Sequence, residues 1–191
     1  MSSLAAAFKE WACIVEALGA GQQILVLRKG GLQDPKQTFQ MKHRFFGLFP
    51  TFEHQDPIYL KPQVQEMLNH LPKALPENNP VVLTYCAQVT RDGIIAQADE
   101  LNKLDAFHGW SDAAVQKKFS WAIQNQIHVL ELRVYRLESP LLIPHSPQYE
   151  GCKSWIDFEK PFEISDMQPV LPDGQFQDLQ RQLTSIGFNF I

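Results

Sequence analysis

The sequence has few cysteines, no long apolar run and none of the glycine-rich signatures of nucleotide binding. Its three cysteines, Cys13, Cys86 and Cys152, are odd in number and far apart, which argues against a disulfide framework and a closed zinc site. No segment approaches the roughly 20 consecutive apolar residues that cross a bilayer, so we expect no membrane association. These absences predict a protein of a reducing compartment, the cytoplasm.

The N-terminus, Met1-Ser2-Ser3-Leu4, also lacks the basic region that precedes the apolar core of a secretory signal. A chain of 191 residues is long enough for one well-filled core, and we predict a single domain over residues 1–191. The stretch 72–80, which contains three prolines, is where a boundary between two lobes would fall.

The formal net charge of −4 hides a strong asymmetry along the chain. Residues 28–44 carry five cations against Asp34 alone, whereas residues 150–178 carry seven acids against two lysines. A locally basic segment on an acidic protein favours a focused anionic ligand over the broad basic surface of a non-specific duplex binder. The alternative is that these charged side chains only keep surface loops hydrated and bind no ligand.

Apolar spacing predicts the order of helices and strands. Leu4, Phe8 and Val15 recur at helical intervals, and Gly19 ends the pattern, so residues 4–18 are predicted to form an amphipathic helix. Further helices are expected at 62–71, 99–104, 111–126 and 173–186, and strands at 24–27, 45–49, 81–89, 127–137 and within 151–158. A turn is expected at 91–93, and 141–143 is expected as a separate extended piece.

Interspersed strands and helices predict the α+β class, with a mixed, mainly antiparallel sheet or a partial barrel and flanking helices. A doubly wound sheet is disfavoured, because no βαβ unit carries a phosphate fingerprint. One form that fits is the partial barrel of PUA-like domains, named after pseudouridine synthase and archaeosine transglycosylase.

The densest group of reactive side chains lies in residues 28–55. Glycine N–H groups can approach an oxyanion closely, and flanking cations complete the charge balance. We therefore predict a phosphate-binding or ligand-binding set composed of Arg28, Lys29, Gly30, Gly31, Lys42, His43 and Arg44, with Trp155 as a stacking residue beside small neighbours. A simple glycine hairpin and a buried Trp155 are the structural alternatives.

A second hypothesis assigns catalysis to His54. This imidazole would act as general base, with Glu53 or Glu131 as its partner and Arg133 on an anionic substrate. Pairing of Arg133 with Glu131 on one strand face is the structural alternative. Three convergent metal ligands are not visible, so no metal site is predicted, and the sequence indicates no particular cofactor.

Three stretches together resemble the domain-of-unknown-function family numbered 1802, which is common in cyanobacteria. They are Arg28-Lys29-Gly30-Gly31, the run from Phe49 to Gln55, and Leu130 to Leu137 with Tyr149 to Trp155. The family has no established activity. Some relatives are joined to restriction-endonuclease-like domains, and the resemblance therefore suggests a nucleic-acid partner.

Three functions remain open at this point. The first is a module that binds nucleic acid or a small anionic ligand, and the second is a small hydrolase acting on a phosphorylated or nucleotide substrate through His54. The third is a scaffold for protein interactions. The sequence does not give the ligand or the oligomeric state.

Overall fold

The computed structural model of the protein describes residues 2–29, 38–76, 79–120, 126–188 and 190. Its strands are β1 (Ser2–Trp11), β2 (Leu25–Arg28), β3 (Phe45–Thr51), β4 (Val81–Ile95), β5 (Ile127–Ile143), β6 (Trp155–Ile164) and β7 (Met167–Pro169). Its helices are α1 (Ala12–Gly19), α2 (Pro62–Leu68), α3 (Ala98–Lys103), α4 (Asp112–Ser120) and α5 (Asp173–Ser185). Within these ranges, no helix is both long and apolar enough to cross a membrane.

The seven strands form one mixed sheet in the order β2-β5-β4-β3-β1-β6, with β7 paired to β5. β1 and β3 run parallel, and the other pairs are antiparallel. Among the described residues, the edge strands β2 and β6 do not pair with each other, so the sheet is open. The predicted α+β class, with a mainly antiparallel sheet and flanking helices, is confirmed.

The predicted helix over residues 4–18 is wrong in its first half. Residues 2–11 form β1, which pairs with β3 on one side and β6 on the other, and the helix begins only at Ala12. Leu4 and Phe8 are four residues apart, a spacing that suits one face of a helix and also one face of a strand. The flanking Ala6 and Ala7 are fully buried as well, because this strand lies inside the sheet.

Two interruptions predicted from the sequence are absent from the antiparallel pair β4 and β5. Residues 91–93 do not form a turn: β4 continues to Ile95, and a register shift between Val89 and Arg91 absorbs the irregularity as a bulge. β5 likewise runs through Pro140 to Ile143. The predicted helix start at Pro62 and the predicted cap at Ser111 are confirmed. The Ser111 hydroxyl accepts a hydrogen bond from the backbone N–H of Ala114 at 3.3 Å.

Strand register assigns the polar residues of β2 and β5 to opposite faces of the sheet. Arg28 lies opposite His128, and Leu25 lies opposite Glu131. Because side chains alternate along a strand, Arg28 and His128 point to one face, whereas Glu131 and Arg133 point to the other. Helix α5 covers the second face.

His108 is a buried imidazole in the connection between α3 and α4. It is 3% exposed, and its Nδ1 accepts a hydrogen bond from the backbone N–H of Trp110 at 3.3 Å. Burial lowers the pKa of His108 to about 4, and the nearby Lys61 ammonium adds to this effect. The folded protein therefore holds this imidazole neutral.

We expect the unfolding free energy to fall as the pH is lowered from about 6.5 to about 4. The unfolded chain takes up a proton at His108 in this window and the folded chain does not, which removes about 3 kcal/mol of stability in total. Urea unfolding at several pH values measures this dependence. His108→Gln should flatten the profile, whereas His70→Gln, a change at an exposed imidazole, should not. Parallel profiles for His108→Gln and the parent protein would contradict the expectation.

Candidate anion-binding site

Two elements that are far apart in sequence bring four cations together. Arg28 and Lys29 lie at the end of β2, and Lys117 and Lys118 belong to α4; we call these four residues the cation cluster. Burial lowers the pKa of Lys29, and the charges of Lys117 and Arg28 lower it further. Burial also lowers the pKa of Lys118 to about 8; the Glu10 carboxylate opposes this shift, while Arg28 and Lys29 add to it.

Arg28 is held in place by two residues of β1 and by Ser154, which immediately precedes β6. Its guanidinium lies 4.8 Å from the centre of the Phe8 ring, and its Nη2 donates to the Ser154 hydroxyl at 2.9 Å. Its Nη1 is 3.6 Å from Oε2 of Glu10. Its buried Nε has no hydrogen-bond partner among the described residues. Arg28 therefore has a fixed orientation and an unused donor.

Glu10 is a carboxylate that lies beside Arg28 and interacts with Lys118, and it is only 3% exposed. Its Oε1 accepts a hydrogen bond from the backbone N–H of Trp11 at 2.9 Å, and its backbone carbonyl accepts from the Thr51 hydroxyl at 3.1 Å. One carboxylate thus links Arg28 to the end of β1. Its negative charge offsets part of the positive charge of the cluster.

The second half of the cluster rests on aromatic rings. Lys118 Nζ lies 3.9 Å from the centre of the Trp110 ring, and the Trp11 ring packs against the same indole with centres 4.9 Å apart. Lys117 Nζ donates to the Tyr59 hydroxyl at 2.6 Å. Trp110 is 2% exposed, and its Nε1 has no hydrogen-bond partner within the described part of the chain. Cation–π contact is one reason why Lys118 tolerates its partial burial.

The other predicted cations lie in ion pairs at the start of β3. His43 Nε2 is 2.7 Å and Lys42 Nζ is 3.9 Å from the Asp157 carboxylate, and Arg44 Nη2 is 2.9 Å from Asp92. Each of these cations has a carboxylate partner, Asp157 of β6 or Asp92 of β4. The basic stretch from Arg28 to Arg44 therefore does not form one surface. Arg28 and Lys29 lie near the lysines of α4, whereas Lys42, His43 and Arg44 pair with carboxylates.

Trp155 packs in the core and does not present a free stacking face. It is 5% exposed, and its ring contacts Phe8, Phe46 and His43 at centre distances of 5.1, 5.0 and 5.3 Å. Its indole N–H donates to the carbonyl of Gln40 at 2.8 Å. The small residue before it, Ser154, is fully buried and accepts a hydrogen bond from the Arg28 guanidinium.

His54 and Glu53 occupy an exposed turn after β3, where His54 adopts a positive φ of 62°. Among the described residues, the His54 ring makes no hydrogen bond or ion pair, so no partner orients it as a general base requires. The next residue, Gln55, has a structural role that the sequence did not reveal. Its side-chain oxygen accepts from the backbone N–H of Cys13 at 2.9 Å and satisfies a donor at the start of α1.

Arg133 and Glu131 do not pair with each other. Arg133 Nη2 donates to Asp173 Oδ1 at 2.5 Å at the start of α5, and its guanidinium lies 4.7 Å from the centre of the Phe176 ring. Glu131 is fully buried and pairs with Arg91. Both residues hold α5 against the sheet on the face opposite Arg28, so the structure does not bring Arg133 to the cation cluster.

The structure brings some predicted site residues together and leaves others apart. Arg28 and Lys29 are in the cluster, and Gly30 and Gly31 lie outside the described residues. Sequence reasoning missed the partners Glu10, Lys117, Lys118 and Ser154. The adjacent lysines of α4 and the alternation of Phe8 with Glu10 in an extended segment were the available signals. No group of three or more metal-ligating side chains occurs in the part of the chain that the structure describes.

Comparisons with known proteins give one family and one set of solved structures. A sequence model of the family described as "Domain of unknown function (DUF1802)" matches residues 7–182. No curated protein matches the chain. The crystal structure of ASCH from Zymomonas mobilis is similar to the chain at 10% identity and a TM-score of 0.46, over 94% of this chain and 93% of that chain. Two mutant structures of ZmASCH from the same organism give the same TM-score at 10% and 11% identity, over 92% of this chain and 94% and 96% of theirs. Because the family match extends over nearly the whole sequence, the chain belongs to the DUF1802 family.

Proposed function

We propose that this protein is a binding module for nucleic acid or another phosphate-containing ligand, which is held at the cation cluster. The observation that carries the proposal is that Arg28 and Lys29 at the end of β2 lie near Lys117 and Lys118 of α4, with the buried Glu10 carboxylate beside Arg28. Like charges gathered at one place oppose folding, and a bound phosphate would offset their repulsion.

The surroundings of the cluster favour recognition of a phosphate group. The Arg28 guanidinium is oriented by Ser154 and Glu10, so a ligand would meet a pre-arranged donor with little loss of side-chain entropy. Lys118 is partly buried, and its charge therefore interacts with an anion more strongly than the charge of a fully solvated lysine. In this arrangement the arginine would donate directional hydrogen bonds to the phosphate, and the lysines would contribute positive charge.

Replacing Lys118 with glutamine is expected to weaken phosphate binding about 10-fold at low salt and to reduce the salt dependence by about one phosphate contact. Fluorescence anisotropy with labelled oligonucleotides, and calorimetry with inorganic tripolyphosphate, measure the two kinds of ligand. Lys103→Gln is the matched control, because it removes the same charge from an exposed position in α3. Equal losses in both variants, or no binding of either ligand by the parent protein, would contradict the proposed function.

The pH dependence of binding is a second readout of the same experiment. An anion favours the charged form of Lys118 and raises its pKa above about 8, so binding takes up a proton above that pH. Affinity should therefore be constant well below pH 8 and should decrease as the pH rises above it. Lys118→Gln should lose this dependence, whereas Lys103→Gln should keep it.

The cellular location and the domain organisation are predicted from the sequence alone. We propose that the protein acts in the cytoplasm as a single domain of residues 1–191. Both statements stay predictions.

A further inference from the structure

We propose that the ligand of the cation cluster is single-stranded nucleic acid and that Trp11 stacks on one of its bases. This inference rests on the proposed function and narrows it to one class of ligand. The observation behind it is the contact of Trp11 with Trp110, which binding of a phosphate group does not require. The Trp11 ring and the Lys118 ammonium lie against the same indole, that of Trp110, with centre distances of 4.9 and 3.9 Å.

The position of Trp11 is fixed from several sides. It is the last residue of β1, where Trp11 pairs with Thr51 of β3. Its backbone N–H donates to Glu10 Oε1 at 2.9 Å, and the same carboxylate pairs with Arg28. Backbone and ring are thus both anchored. A rigid aromatic ring loses little conformational entropy when it binds a ligand.

Trp11 differs from the other tryptophans of the described residues in its exposure. Trp110 and Trp155 are 2% and 5% exposed, whereas Trp11 is only partly buried and packs against the edge of the core. A partly exposed indole that shares the Trp110 ring with the Lys118 ammonium matches the needs of a nucleotide, which has a flat base joined to a phosphate. An inorganic anion would use the cations and leave the ring without a contact.

Stacking on Trp11 selects against a duplex. The faces of paired bases are covered by neighbouring pairs, and a protein ring reaches them only when the base is unstacked. Stacking of one base on an aromatic side chain changes affinity by about 10- to 100-fold in proteins that bind single strands. Because any base has a flat face, we expect preference for single strands with little preference for sequence.

The test compares three probes at low salt: a labelled single-stranded oligonucleotide, the duplex of the same length, and inorganic tripolyphosphate. We expect the parent protein to bind the single strand at least about 10-fold more tightly than the duplex. Trp11→Leu should remove this preference and weaken single-strand binding about 10-fold, while the affinity for tripolyphosphate stays within about twofold. Trp11→Phe, which retains a ring, should give an intermediate affinity. Thermal unfolding of each variant shows whether the fold is retained.

Other outcomes separate this inference from the proposed function. Binding of tripolyphosphate without binding of oligonucleotides would overturn the inference and leave the proposed function standing. Equal affinity for single strand and duplex would overturn it as well. Equal weakening of all three probes in Trp11→Leu would show that Trp11 only supports the structure and would also overturn stacking. Failure of the parent protein to bind any probe would remove the proposed function itself.

Discussion

Replacing Arg91 with methionine is expected to lower the free energy of unfolding by about 3 to 5 kcal/mol. Arg91 Nε donates to Oε2 of Glu131 at 2.9 Å, and Nη2 of the same guanidinium also donates to that oxygen. Glu131 is fully buried, so methionine at position 91 leaves a carboxylate without a cation inside the protein. Urea unfolding, followed by circular dichroism, measures the loss.

The Glu131 carboxylate is also the anchor of the last helix. Its Oε1 accepts from the Thr90 hydroxyl at 2.5 Å and from the Gln180 side chain of α5 at 2.7 Å. A neutral glutamine at position 131 keeps an acceptor for these donors and removes the buried charge. The double variant Arg91→Met with Glu131→Gln should therefore be at least about 1 kcal/mol more stable than Arg91→Met alone.

A matched control lies on α5. Arg181→Met removes a cation whose pair with Asp178 is exposed on the surface, and the expected change is within about 0.5 kcal/mol. If Arg181→Met costs as much as Arg91→Met, burial of the Glu131 carboxylate is not the cause of the loss.

The largest expected effect on binding belongs to Arg28. Arg28→Met alone should destabilise the protein by about 3 kcal/mol or more, because the Glu10 side chain is nearly fully buried and loses its cation. The double variant Arg28→Met with Glu10→Gln removes both charges and should recover much of this stability. It should still bind the phosphate ligand about 10- to 100-fold more weakly, since the oriented guanidinium is absent.

Unfolding and binding must be measured on the same three proteins: the parent, Arg28→Met and the double variant. A double variant that folds as stably as the parent and binds as tightly would show that Arg28 serves only to neutralise Glu10. Lys42→Met is the control for loss of a cation from the same basic segment. Its ammonium is 3.9 Å from the exposed Asp157 carboxylate, so only a small change in stability and binding is expected.

Several elements could be predicted because their signals are local. The apolar run before Arg28, the proline that begins α2, the Ser111 cap and the amphipathic pattern of α5 each specify structure within one turn or one strand. β1 was missed because Leu4 and Phe8 fit both periods, and only pairing with β3 and β6 selects the extended form. Propensity is a weak guide where strand neighbours supply the burial.

Only the part of the candidate site that has a local signal could be predicted. Arg28 and Lys29 are recognisable as a cationic strand end, but the linear charge count also included Lys42 and Arg44, which the fold pairs with acids. The sequence also could not exclude Arg133 from the site of Arg28. The face of the sheet to which a strand residue points depends on the register of the paired strands.

The amino-acid sequence was sufficient to specify the α+β class, the family and the presence of a focused basic segment, since these follow from periodicity, motifs and composition. Only the tertiary structure determined which charged side chains lie close together. Lys118 interacts with Arg28, and Lys117 with Lys29, across about 90 residues of sequence. Glu10 comes from β1, and Ser154 comes from the residue before β6. Such contacts arise from strand order and register over long separations, and no local pattern in the chain records them.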